Sequence, residues 1–126
     1  MNNTHKRSIL PGYGGLPFGV ISECKVGNVG VLGVPSEVDK GSRIGASLAP
    51  DALRKMTQQL DTKLPANGRD LGNLDVSGDW TSYLMELISH LVNTDVMPIV
   101  LGGASNVANV ILQALPDLQV VAAIPM

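Results

Sequence analysis

Two runs of aliphatic, largely β-branched residues constrain this chain more than any other feature. The first carries Val26, Val29, Val31, Leu32 and Val34 and stops at Pro35; the second, Val96-Met97-Pro98-Ile99-Val100-Leu101, stops at Gly102-Gly103. Short apolar runs closed by Pro or Gly read as buried strands. Elsewhere the apolar residues recur at three- and four-residue intervals, the period of a helix face. Ala49, Leu53, Met56 and Leu60 form one such face, with Pro50 in the first turn, where its missing N–H costs nothing. Leu84, Leu87, Ile88 and Leu91 form a second, capped by Thr81 or Ser82. A third helix carries Val107, Ala108, Val110, Ile111, Ala114 and Leu115, is capped by Ser105 or Asn106, and ends at Pro116-Asp117. It is apolar nearly all round, which predicts burial.

A weaker extended segment covers Arg69 to Val76, and Leu118 to Ile124 reads as a last strand. Strands and helices therefore alternate, and the right-handed crossover rule turns that order into a parallel sheet with helices on its faces. The expected fold is α/β and three-layered, with a mainly parallel sheet flanked by helices. Residues 1–25 hold two prolines and four glycines without any period, so they read as an extended N-terminal arm ahead of one domain over 26–126. A length of 126 residues fits a single core. One Phe, one Trp and two Tyr leave that core to Val, Leu, Ile, Ala and Met packed around glycines, as suits a parallel sheet.

Charge narrows the possible partners. The net charge is −2 and the only basic run is His5-Lys6-Arg7, so the face that nucleic acid or an anionic membrane requires is missing. No apolar stretch approaches a membrane span. The basic start is followed by Pro11, Gly12, Gly14, Gly15 and Pro17 rather than by an apolar leader core, and a cytoplasmic setting is the expectation. Cys24 is the single cysteine, so it has no partner for an internal disulfide and reads as an ordinary residue. Only 16% of residues are charged, which favours burial of the weakly polar surface against another chain.

In open parallel sheets, working residues gather in the loops at the carboxyl ends of the strands. Three places qualify: Pro35 to Ser47, Gly102 to Asn106, and Ile124 to Met126. The candidate substrate- or anion-binding residues are Arg43, Gly102, Gly103, Ser105 and Asn106, since a helix N-terminus after Gly-Gly offers backbone N–H groups to an anion. Weighed against that, Arg43 and Arg54 read more readily as structural arginines, and neither a dinucleotide nor a nucleoside-triphosphate fingerprint occurs. Asp75 and Asp79 read as a solvated turn, His90 as a rim residue and His5 as part of the arm.

These segments together resemble one family. Gly33-Val34-Pro35-Ser36-Glu37, Gly41-Ser42-Arg43-Ile44-Gly45-Ala46 and Ala49-Pro50-Asp51-Ala52-Leu53-Arg54 look like the opening signature of the ureohydrolases, the arginase, agmatinase and formiminoglutamase family, with formiminoglutamases most similar. Asp70-Leu71-Gly72-Asn73 resembles the family's Asp-Leu-Gly-Asp or Asp-Leu-Gly-Asn landmark, and Pro98 to Gly103 the strand before its first metal motif. The resemblance runs in order over residues 26–126 and implies the opening part of the arginase-like fold.

It also implies a two-manganese centre, and there the chain departs. The family's Gly-Gly-Asp-His-Ser reads Gly102-Gly103-Ala104-Ser105-Asn106, and the positions of the first Asp and the His of Asp-Ala-His-x-Asp fall on Ile124 and Met126. A third motif, Asp-x-Asp, has no counterpart. Mn²⁺ needs carboxylate oxygens and imidazole nitrogens, which Ala, Ile and Met do not supply. No catalytic residue, metal ligand or cofactor is therefore expected. The leading reading is a non-catalytic ureohydrolase-like protein, a pseudoenzyme or half-domain, acting by association with itself or another chain, such as an active ureohydrolase. Two alternatives stay open: one piece of an active manganese-dependent amidine hydrolase whose ligands come from elsewhere, and a small-anion binding module.

Overall fold

The computed structural model describes residues 12–36, 46–61, 63–102 and 106–114. Strands β1 (Val29–Val34), β2 (Gly68–Asn73) and β3 (Met97–Gly102) form a sheet in the order β2-β1-β3, and both pairings are parallel. Helix α1 (Ala49–Gln59) lies between β1 and β2, α2 (Trp80–Asn93) between β2 and β3, and α3 (Asn106–Ala114) follows β3. The α/β class and parallel sheet agree with the sequence. The strand expected over 118–124 lies outside the described residues.

Alternation along β1 decides which face each helix covers. Leu32 and Val34 pack with Leu74, Trp80, Leu84, Ile88, Val107 and Val110, so α2 and α3 share one face of the sheet. Val29 and Val31 pack with Leu16 and Leu101, joined by Tyr13, Leu53, Leu64 and Ile99, so α1 and the N-terminal segment cover the other. Strand β1 is buried at every residue because it is central and has a layer on each side. Its outgoing chain turns to the α1 face, whereas β3 leads into the α3 face. The chain thus changes direction between the carboxyl ends of β1 and β3, the place where open α/β sheets form a crevice.

Several boundaries differ from the sequence reading for identifiable reasons. Val26 is 77% exposed in a turn, and β1 begins only at Val29. Helix α2 is capped by Asp79 rather than Thr81 or Ser82, its carboxylate accepting from the Ser82 amide. Helix α3 is less uniform than its apolar content suggested, since Asn109 and Gln113 are exposed while Val107 and Val110 are buried. In α1 the expected apolar stripe is only partly used: Leu53 is half-buried, Met56 and Leu60 are exposed, and the buried residues are Pro50 and Arg54. Residues 12–25, read as an arm, contain 3-10 turns at Tyr13–Gly15 and Ile21–Glu23, and Leu16 is buried.

The α2 stripe matches its expectation. Leu84, Ile88 and Leu91 are fully buried and Leu87 is half-buried. Truncating Ile88 to Ala should therefore remove a fully enclosed side chain and leave a cavity, lowering stability by about 2–5 kcal/mol. Urea unfolding would read it as a lower midpoint at unchanged slope, and a variant melting with the parent would contradict this packing.

Candidate functional site

At the crevice, Val34 of β1 pairs with Gly102 of β3. Just beyond Val34 the chain folds back, the Ser36 amide donating to the Val34 carbonyl at 2.9 Å. Ser36 is fully buried, and its hydroxyl has no partner among the described residues. Gly102 abuts α3, where an added Cβ would meet Val107 at 3.6 Å, an ordinary contact, and its φ is outside the left-handed region. Gly102 therefore does not need to be glycine for its backbone angles. Asn106 opens α3. Arg43, Gly103 and Ser105 lie outside the described residues, as do His5, Ile124 and Met126. The structure thus brings Gly102 and Asn106 to one end of the sheet and adds Ser36, which sequence reasoning did not single out as a site residue. Its only signal was its place directly after the Gly-x-Pro strand end.

Among the described residues of this region the side-chain donors are few. Gly102 has no side chain, Ser36 offers one neutral hydroxyl, and among the described residues no three His, Cys, Asp or Glu stand together as metal ligands. His90 is exposed in the last turn of α2. Asp75 and Asp79, both exposed, serve their own loop. The Ser77 hydroxyl and amide hold the Asp75 carboxyl below the usual carboxylate range, and Ser82, with Thr81 behind it, does the same for Asp79. Cys24 sits half-buried, and that burial pushes its thiol up, with Arg69 acting in the opposite direction.

Among the described residues the strongest polar cluster lies instead beneath α1. Arg54 is 8% exposed and Asp70 fully buried, and they meet as a fork: Nε donates to Oδ2 at 2.7 Å and Nη2 to Oδ1 at 2.9 Å. Nη1 donates to Asp51 at 3.0 Å and also to Asn73. The Phe18 ring packs against the guanidinium, 5.8 Å from carbon to ring centroid. Asp70 also accepts from the amides of Tyr13 and Gly72, each at 2.9 Å, so its carboxylate takes four hydrogen bonds. A buried ion pair persists only when its remaining donors and acceptors are satisfied, and this one is.

The local sequence explains the geometry. In β2 the register slips between the Val31–Asp70 and Gly33–Asn73 pairings, a bulge at which Gly72 takes φ +82°. The bulge turns the Gly72 amide back onto Asp70 and carries Asn73 round to Arg54. Opposite them Gly33 leaves room: a Cβ there would lie 3.0 Å from both Arg54 Nη2 and Pro50 Cβ and collide with the Asn73 carboxamide. Arg54 is thus engaged through all three of its guanidinium nitrogens, and it joins α1, β2 and the N-terminal segment.

A family model described as the arginase family matches residues 27–123. Neither a curated protein nor a solved structure matches the chain.

Two outcomes test this geometry. Replacing Arg54 with Ala strands a buried carboxylate and should cost about 3–5 kcal/mol, whereas Asp51→Ala, on a side chain 76% exposed, should cost far less. Equal denaturation midpoints for the two variants would refute the hierarchy. For Asp75 and Asp79 the folded-state pKa lies below the unfolded one, so their contribution is present at neutral pH and is lost as the pH falls through the lowered folded value. Carboxyl resonances of these two residues should titrate below those of free aspartate, and values at or above the free range would contradict the capping contacts.

Proposed function

Since this chain belongs to the arginase family, we propose that it is a non-catalytic member, one that keeps the opening architecture of the fold and acts by associating with protein. A single observation carries the reading: where the family's manganese ligands belong, the sequence supplies Gly102-Gly103-Ala104-Ser105-Asn106 and, further on, Ile124 and Met126. Without carboxylates and imidazoles there, no water can be activated between two metals. What is retained is structural. The Asp70-Leu71-Gly72-Asn73 run makes the β2 bulge, and Arg54 makes the buried pair that the bulge serves.

Association is supported by the composition and by the exposed surface. The described residues expose Val20, Leu48, Met56, Leu60, Tyr83 and Met97 at more than half of their area, on a chain with few charges. In this reading another copy of the chain, or a catalytic relative, covers part of that surface. Its setting is the cytoplasm. No described helix is long and apolar enough to cross a membrane.

The isolated chain should retain no stoichiometric manganese after dialysis, and it should release neither urea from arginine or agmatine nor formamide from formiminoglutamate. Elemental analysis and product assays check both. Bound manganese together with turnover above a metal-free control would overturn the non-catalytic reading.

A further inference from the structure

The outer flank of α1 carries an apolar row that the fold leaves uncovered. Leu48, just ahead of the helix, and Ala52, Met56 and Leu60 stand four residues apart and so form one ridge along it. Leu48 and Leu60 are each 68% exposed, Met56 is 52% exposed, and Ala52 is exposed too. This ridge borders the half-buried Leu53 but takes no part in the core beneath it.

The sheet edges are less available than the ridge. Along β2, the Asp70 amide donates to the Pro17 carbonyl and its carbonyl accepts from the Gly19 amide, so residues 17–19 occupy the outer side of that strand. Along β3, the Met97 amide points to β1, where it donates to Asn28, so the next residue's nitrogen faces outward. That residue is Pro98, which has no N–H to offer a new strand. Both edges are blunted at these positions, and among the described residues the helix ridge is an apolar row left open.

We propose that this ridge is a self-association surface on which α1 of a second copy lies antiparallel. The row is self-complementary about its midpoint between Ala52 and Met56. Turned end for end, Leu48 meets Leu60 and Ala52 meets Met56, a small residue beside a large one, as an isologous two-fold contact requires. Asp51 and Lys55, both exposed, flank the ridge near the same midpoint; Asp51 Oδ1 accepts from Arg54 and Asn73 of its own chain, and its other oxygen falls beside the lysine of the second copy. Ridges of four-residue spacing on both helices cross at about −50°. One pair of short helices covers well under the ~800 Å² per partner of a standard interface, so the dimer is weak and concentration-dependent. This rests on the association reading above and names its surface.

Light scattering of the full chain, across the micromolar to sub-millimolar range, is the test. The parent should rise toward a two-chain mass. Met56→Glu and Lys55→Glu should each weaken dimerisation by about tenfold or more, while Tyr83→Glu, on α2, should leave it unchanged. All three variants should melt with the parent at low concentration, because the replaced side chains are exposed or half-exposed. A parent dimer unaffected by both α1 substitutions would overturn this surface and leave association standing. A one-chain mass at every concentration would overturn self-association altogether, while the metal and turnover assays decide the non-catalytic reading independently.

Discussion

The fork between Arg54 and Asp70 is the interaction on which the described fold depends. It joins the helix after β1 to the strand that helix leads into, and the same carboxylate takes the Tyr13 amide of the N-terminal segment. Three pieces of backbone distant in sequence therefore share one buried charge pair. An apolar cluster tolerates small changes of shape, but a buried carboxylate with four donors does not, since each lost donor leaves desolvated charge behind. The cluster also dictates its neighbours: Gly33 is small because Arg54, Pro50 and Asn73 occupy the space above it, and Gly72 is left-handed because the bulge must return an amide to Asp70. The opening signature of this sequence is to that extent a description of one ion pair.

Much of the architecture is legible in the sequence. The run ending at Pro35, the run ending at Gly102 and the stripe Leu84, Leu87, Ile88, Leu91 each announced an element, because burial on both faces of a strand or on one face of a helix leaves a plain apolar period. Helix α1 was legible as a helix but not in its packing. Its period placed Met56 and Leu60 toward the core, while the structure buries Arg54, because an arginine that finds a carboxylate can be enclosed and a sequence pattern does not show the carboxylate. The N-terminal segment was illegible for a related reason: its hold on the sheet is mostly through backbone amides and carbonyls, which every residue possesses. At the crevice, the strand-to-helix pattern places Gly102 and Asn106 at one end of the sheet, whereas Ser36 carries no signal because one serine has no period.

The layers, the parallel order and the crevice between β1 and β3 come from the two apolar clusters and the Arg54–Asp70 pair. The residues packed around Ile88 and the groups that hold Arg54 account for those layers. The arginase-family shape of the chain therefore rests on packing and on one ion pair.

The reach of the Asp70 carboxylate has a further consequence, in the order of events as the chain folds. Tyr13 and Asp70 are 57 residues apart, and Arg54 precedes its acid by 16. Until β2 is in place, the Arg54 guanidinium on α1 has the exposed Asp51 of its own helix as its counter-charge. Packing that helix against β1 alone would bury a guanidinium that lacks its buried partner, a step disfavoured by several kcal/mol. Contacts this far apart in sequence close late and slow folding, so the pair that ties these three segments together adds to the non-local part of the fold.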